Sequence, residues 1–205
     1  KALTSALSTR SLSRDEAGLL LEVLAVKGIS APELKTLLNK QAGLKNSAGR
    51  VYNPQYLDQL SRQAMESGNA QKGRAIYAAN ASCSSCHMIQ GKGGNIGPNL
   101  SAIGKGLTAR EIIAEVLWPN QNVKEGYNRV VVETKSGELI QGIKLFENAE
   151  EIQIETTESK KPRVVSKKNM VSKMESGSLM PAGLVDNYSE EELRDLIKYL
   201  SELKN

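Results

Sequence analysis

Apolar residues recur at helical spacing in several parts of the chain, and four of these segments begin with a recognisable start signal. In each, a serine or threonine precedes a glutamate by three residues, which is the capping-box pattern of a helix N-terminus. The pairs are Ser13 with Glu16, Ser30 with Glu33, Thr108 with Glu111, and Ser189 with Glu192. They predict helices at about 14–27, 31–43, 109–118 and 190–203.

Between Tyr127 and Met170 the pattern changes to alternation of apolar and polar residues. The segments "RVVVET", "ELIQGIKLF" and "EIQIET" are rich in β-branched or alternating residues, and the turn signals "KSG" and "ENAE" separate them. In the third segment Ile152 and Ile154 are expected on one face, with polar residues on the other. A further strand near "RVVS" would complete a small antiparallel meander.

Charge within this stretch is segregated. Residues 147–158 carry five glutamates, whereas residues 160–173 carry six lysines and arginines and no acid. Neighbouring strands could neutralise each other across the sheet. The alternative is a basic docking patch for an acidic redox partner, in which charge would mainly raise the association rate.

Composition limits the class of protein. Hydrophobic residues make up 40% and charged residues 24% of the 205 residues, which is typical of a globular protein. The net charge of +4 is too small to indicate nucleic acid binding, and no run of 18 apolar residues predicts a transmembrane segment. The first ten residues lack the apolar core of a signal peptide, as expected of a processed chain or a piece of a longer one.

Both cysteines and the single histidine lie within five positions, Cys83-Ser84-Ser85-Cys86-His87. The pattern C-x-x-C-H is the attachment signature of c-type haem. Its two thiols add to the porphyrin vinyl groups, and the histidine on the same turn is presented to the iron as proximal ligand. The sequence therefore predicts one covalently attached haem c.

Three other uses of the cysteines compete with haem. A redox dithiol would follow a strand in a βαβ unit, but "KGRAIYAAN" before Cys83 has a helical pattern. A structural zinc site needs four ligands, and Cys83, Cys86 and His87 supply three, so a carboxylate would have to complete the set. A disulfide across two residues would close too small a ring to stabilise the fold much.

Downstream of the motif, "GKGGNIGPNL" resembles the Gly-Pro-x-Leu segment that follows the haem motif in class I cytochromes c. The resemblance implies that the carbonyl of Pro98 accepts a hydrogen bond from Nδ1 of His87, which would fix the ring and raise its basicity. Leu100 occupies the leucine position of this segment. Together with Ile96 and Ile103 it is expected to bury the haem.

Since the only histidine is used, the sixth iron ligand is left to methionine, lysine, water or an open position. Among the five methionines, Met180 lies in "SGSLMPAGLVDNYSEEELRDLIKYL", a loop that leads into the last predicted helix. Class I cytochromes c carry their axial methionine in such a loop, so the resemblance implies His87 and Met180 as the iron ligands. Met174 and Met170 are the reserve candidates.

The resulting fold class is mainly α: a class I cytochrome c fold at 67–205 around one haem, with a small antiparallel β insert at about 127–170. The resemblance implies that the first and last haem-domain helices cross where Gly73 and Tyr77 meet Leu196 or Tyr199. Residues 1–66 are expected to form a helical cap or the end of a helical-repeat region.

A narrower resemblance covers about Tyr52 to Lys204. "GNAQKGRAIY", the haem motif, "VLWPNQNVKEGYNRVVVETKSGELIQG" and "SLMPAGLVDNYSEEELRDLIKYL" are similar to the C-terminal haem-binding domain of bacterial putative membrane-bound, sugar-type dehydrogenases. This resemblance implies a dehydrogenase as electron donor, or as a fused domain, and a respiratory acceptor. No dehydrogenase activity is expected of these 205 residues themselves.

The sequence thus predicts an electron carrier rather than an enzyme, and a periplasmic or outward-facing membrane-associated location, because haem is attached to c-type cytochromes outside the cytoplasm. One alternative is a haem-based sensor or peroxidase-like protein with a displaceable methionine ligand. Another is an interaction module, in which the helical segment or the β insert recruits a partner and the haem is accessory.

Overall fold

The structure is a computed structural model that describes residues 31–41, 52–79, 81–159 and 161–205, together with isolated positions between 7 and 24. Helices make up 41% and strands 23% of the described residues. The predicted helix at 14–27 is described only at positions 17, 20, 21 and 24, which are helical. The capping residues Ser13 and Ser30 lie outside the described residues. The helix expected at 31–43 is confirmed as α1, Pro32–Gln41.

Near the N-terminus a small apolar cluster forms around α1. Leu34 and Leu38 are buried against Ala17 and Leu24, and this cluster is separate from the core described next. The role of residues 1–66 as a cap or repeat end stays a prediction.

After α1, the described part of the chain contains six further α-helices. They are α2 (Pro54–Ser67), α3 (Ala70–Ala79), α4 (Ala81–Ser84), α5 (Ile103–Gly106), α6 (Ala109–Leu117) and α7 (Glu190–Glu202). The capping boxes predicted at Thr108 and Ser189 are both formed, with each hydroxyl accepting from the third helical N–H and each glutamate reaching back to the cap. Helices α6 and α7 therefore begin where the sequence predicts.

Helix α7 lies at the centre of the helical core and contacts α2, α3, α5 and α6. Its apolar stripe is almost completely buried, and α2 adds Leu57 and Leu60 to the same cluster. Helix α3 crosses α7 closely because Gly73 has no side chain: a Cβ there would lie 1.9 Å from the carbonyl oxygen of Asp195. One turn later the rings of Tyr77 and Tyr199 are 6.1 Å apart, so the predicted crossing at Tyr199 is confirmed.

The strands form two antiparallel sheets. A short hairpin pairs β1 (Met88–Ile89) with β2 (Lys92–Gly93) directly after the haem motif. The larger sheet has five strands in the order β6-β5-β4-β3-β7. Its members are β3 (Asn128–Thr134), β4 (Leu139–Glu147), β5 (Glu151–Glu155), β6 (Arg163–Ser166) and β7 (Met170–Ser178).

This sheet has a hydrophobic core of its own. Val130, Val132, Ile152 and Ile154 are fully buried, and every member of their cluster belongs to the sheet or its edges. The predicted orientation of the two isoleucines is confirmed. No helical residue of the described chain belongs to this cluster.

The expectation of a mainly α fold with a small β insert is wrong. A five-stranded sheet with a separate core accounts for residues 128–178, and the fold combines helices and a large sheet. The sequence pattern predicts four of the five strands and misses β7. That strand, "MVSKMESGS", has little apolar alternation, and it is held by its pairing with β3 along most of its length.

Opposite charges of the sheet pair with each other. Glu147, on β4, accepts hydrogen bonds from Lys167 and from Lys173, the latter at 2.7 Å, and Arg163 donates to Glu138 at 2.7 Å. The hydrogen bonds from Lys167 and Lys173 lower the pKa of Glu147 to about 2. The pairs favour neutralisation within the sheet as the main use of the segregated charge.

None of the helices within the described ranges has both the length and the apolar character needed to span a bilayer.

Candidate haem site

The C-x-x-C-H motif forms one helical turn. Helix α4 ends at Ser84, and the N–H groups of Cys86 and His87 donate to the carbonyl of Cys83 at 3.3 and 2.9 Å. This turn places Cys83, Cys86 and His87 along one wall of a single cavity. The spacing in sequence thus brings the three groups together as predicted.

The ring of His87 is held by the segment that follows. Its Nδ1 lies 2.9 Å from the carbonyl oxygen of Pro98, as the resemblance to class I cytochromes implies. When Nδ1 carries the proton, Nε2 has its lone pair available for a metal. Gly97 makes this contact possible, since a Cβ at that position would lie 2.7 Å from Cε1 and 2.8 Å from Nδ1 of the ring.

A second group fixes the backbone of the motif from the helical core. The hydroxyl of Tyr77 on α3 donates to the carbonyl of His87 at 2.9 Å. Tyr77 is 7% exposed, and its burial raises the pKa of the phenol to about 12. The helix crossing at Gly73 and the orientation of the haem motif are therefore connected through one buried side chain.

Burial shifts the pKa values of two groups in the motif. Burial is the main cause that raises the pKa of the Cys83 thiol to about 11, and the neighbouring Cys86 adds to it. Both cysteines are free thiols. Burial lowers the pKa of His87, while the hydrogen bond to Pro98 acts in the opposite direction. A neutral imidazole is the form that binds a metal ion.

Met180 also lines the cavity, in a loop between β7 and α7. A chain of hydrogen bonds from the helical part orders this loop. The side-chain oxygen of Asn120 accepts from the N–H of Ser178 at 2.7 Å, and the hydroxyl of Ser178 accepts from the N–H of Met180 at 3.1 Å. Gly177 enters this turn with a positive φ of 68°, where glycine is favoured.

The other methionines lie elsewhere. Met174 is on β7 opposite Val131, and Met170 packs against the core of the sheet. Neither lines the cavity, nor do Met65 and Met88. Among the described methionines only Met180 lies at the cavity that contains His87.

The large sheet forms part of the cavity, which the sequence patterns do not predict. Tyr127, just before β3, and Ile143, on β4, line it beside Leu179 and Leu184 from the Met180 loop. Leu100 and Ile103, expected around the haem, pack instead against the helical core. Neither Tyr127 nor Ile143 lies near the haem motif in sequence, so only the tertiary fold reveals them.

The cavity has the chemistry of a site for a large apolar cofactor. Its lining is largely apolar, with two thiols and an imidazole on one wall. Within the described part of the chain, no three His, Cys, Asp or Glu side chains cluster as a metal site. These residues fit a porphyrin that supplies its own four nitrogen ligands.

Comparison with known families agrees with this assignment. Residues 70–138 match the family model described as Cytochrome c, a segment that begins with α3 and includes Cys83, Cys86, His87 and Pro98. The match supports a c-type cytochrome domain, whose cofactor is covalently attached haem c with its iron, and hence a haem-based electron carrier. A search of curated proteins found no match to the chain. The narrower resemblance to dehydrogenase-associated haem domains gains no support from these comparisons.

The matched segment ends at residue 138, between β3 and β4. Met180 and helix α7 come after the strands of the large sheet in the sequence, outside the matched segment. The proposal of Met180 as a ligand therefore depends on its place in the cavity and on the resemblance of its loop to that of class I cytochromes c.

Proposed function

We propose that the protein carries single electrons through a haem held between His87 and Met180. Cys83 and Cys86 would anchor the porphyrin, and His87 and Met180 would bind its iron. The haem would supply one-electron chemistry, the change between ferric and ferrous iron. With both residues bound, no position would be left for a substrate, so the domain would transfer charge without bond chemistry.

The observation that carries this proposal is the placing of His87 and Met180 on one largely apolar cavity. A neutral thioether favours the reduced iron. Burial within apolar walls acts in the same direction, because a low dielectric disfavours the additional charge of the ferric form. Both effects raise the reduction potential, which suits accepting electrons from a dehydrogenase-linked donor.

The chain of hydrogen bonds from Asn120 to Met180 supports a fixed ligand rather than a displaceable one. A sensor or peroxidase-like protein would need the sixth position to open. An ordered loop makes that opening costly, since the backbone bonds at Ser178 and Met180 would have to break.

Substitution of Met180 by alanine tests the ligand assignment. The oxidised wild-type protein is expected to show the weak far-red charge-transfer band of a methionine–ferric bond, and Met180→Ala should abolish it. The variant should also shift the reduction equilibrium by more than tenfold toward the ferric form, or 59 mV for each factor of ten.

Met174→Ala is the matched control, because it removes the same side chain from β7 outside the cavity. It should keep both the band and the potential. Loss of the band in Met174→Ala with its retention in Met180→Ala would reverse the assignment. Rapid binding of carbon monoxide by the reduced wild-type protein would favour the sensor.

We further propose a periplasmic or outward-facing membrane-associated location. The support is the haem motif itself, since attachment of haem to paired cysteines takes place outside the cytoplasm. Fractionation of cells that produce the full-length protein should recover the haem stain in the periplasmic or membrane fraction. Haem-stained protein confined to the cytoplasm would contradict the proposal.

The proposed partners are a sugar-type dehydrogenase as donor and a respiratory protein as acceptor. The support is the resemblance of residues 52–204 to dehydrogenase-associated haem domains. Native membranes supplied with a sugar substrate should reduce the purified holoprotein, and reduction should require both the membranes and the sugar. Reduction that is independent of added sugar would contradict a dehydrogenase as donor.

A further inference from the structure

A buried arginine lies on the strand of the large sheet that adjoins the haem cavity. Arg129, on β3, is 6% exposed, in contrast to Arg110 and Arg163, whose side chains are 44% and 41% exposed. Arginine is almost never fully buried in proteins unless it is paired.

The register of the sheet shows which way Arg129 faces. It pairs directly with Ile143 on β4, and Ile143 pairs with Glu155 on β5. Residues directly opposite each other across antiparallel strands lie on the same face. Arg129, Ile143 and Glu155 therefore form one row across three strands.

Two members of this row contact the haem site. Ile143 lines the cavity. Glu155 accepts a hydrogen bond at 2.9 Å from the side chain of Asn95, in the loop that follows the haem motif. The face that carries Arg129 is thus the face that packs on the haem site. Tyr127, two residues before Arg129, lines the same cavity from the start of the strand.

The charge of Arg129 persists in this position. Burial lowers the pKa of the guanidinium, yet an arginine remains protonated at neutral pH. Two carboxylates share its face of the sheet: Glu155 at the far end of the row and Glu133 on β3. A permanent positive charge therefore lies opposite Ile143, a lining residue of the largely apolar cavity, where solvent and salt screen it poorly.

We propose that Arg129 is the residue through which the sheet acts on the haem: its guanidinium binds a haem carboxylate and its charge favours the ferrous state. A haem carries two carboxylates on its periphery, and the planar guanidinium matches a carboxylate in a two-point hydrogen bond. A positive charge near the iron opposes the extra charge of the ferric form. This inference rests on the proposed haem binding in this cavity.

The magnitude follows from Coulomb's law. At an effective dielectric constant of about 20, a unit charge acting over about 10 Å changes an equilibrium by about tenfold. Removing the charge in Arg129→Gln should therefore shift the reduction equilibrium about tenfold toward the ferric form, which lowers the midpoint potential by about 59 mV. Because the charge is buried, the shift should persist at high salt.

Spectroelectrochemical titration of the holoprotein tests this expectation. Arg163→Gln is the matched control: it removes the same charge from the same sheet, but its strand position pairs with Ile154 on the other face. It should change the equilibrium by less than twofold. Arg129→Lys keeps the charge and should retain most of the wild-type potential. Equal potentials for Arg129→Gln and Arg163→Gln would overturn the proposal, as would an equal loss in Arg129→Lys and Arg129→Gln.

Resonance Raman spectroscopy provides a readout that does not depend on Arg129→Gln folding. The bending mode of the haem carboxylate should shift between wild type and Arg129→Lys, because a two-point hydrogen bond becomes a single one. An unchanged mode would exclude the contact. Failure of the wild-type chain to attach haem would instead refute the haem site itself, so the two failures are distinguishable.

Discussion

Replacing Gly97 with alanine would place a methyl group against the imidazole of His87. The Cβ would lie 2.7 Å from Cε1 and 2.8 Å from Nδ1, and 3.2 Å from the carbonyl oxygen of Cys86. The backbone of Cys86 and the ring of His87 are fixed by hydrogen bonds to Gly97 and Pro98, so neither yields easily. Inserting one carbon into such a well-packed site typically costs about 1–3 kcal/mol. For a chain of this size that corresponds to roughly 3–9 °C in melting temperature.

Thermal and urea unfolding of the holoprotein measure this cost. Gly106→Ala is the matched control, because Gly106 is exposed at the end of α5 and a Cβ there would have no neighbour within 4 Å. The control should change the free energy of unfolding by no more than about 0.5 kcal/mol in the destabilising direction. Equal stability of the two variants would refute the argument that Gly97 is needed for the position of the His87 ring.

Two further predictions concern contacts around the site and in the sheet. Tyr77→Phe removes the hydrogen bond to the His87 carbonyl and should lower the free energy of urea unfolding by about 1 kcal/mol; an unchanged value would show that the bond contributes nothing. Glu147→Gln weakens the ion pairs with Lys167 and Lys173 and should cost about 1–2 kcal/mol at neutral pH, since each such pair contributes up to about 1 kcal/mol. Because the folded pKa of Glu147, about 2, lies below its ordinary value of 4.5, the wild type should lose this stabilisation as pH falls from 4.5 toward 2. A plot of unfolding free energy against pH over this range should be flatter for Glu147→Gln than for the wild type. Parallel plots for the two proteins would contradict the role given to Glu147.

Local signals in the sequence predict the helices and the haem motif well. The capping boxes at Thr108 and Ser189 define the starts of α6 and α7, because a cap is satisfied within a few residues of its own position. The turn at Cys83 and His87 is equally local. Such features need no knowledge of the tertiary fold.

The large sheet and its contribution to the site are harder to predict from the sequence. Strand β7 carries exposed Val171 and several polar residues, so alternation alone does not identify it; its pairing with β3 does. Ile143 and Tyr127 line the haem cavity because the sheet packs beside the haem loop, where Glu155 accepts a hydrogen bond from Asn95. Contacts between residues so distant in sequence leave no periodic signal.

The methyl groups of the five methionines provide the most direct test of the central claim, that haem is held between His87 and Met180. With ¹³C-methyl methionine in the reduced holoprotein, one methyl resonance should be shifted far upfield by the porphyrin ring current. That resonance should be absent from Met180→Ala and present in Met174→Ala. Five methyl resonances in the ordinary range, or a shifted resonance that persists in Met180→Ala, would contradict the account.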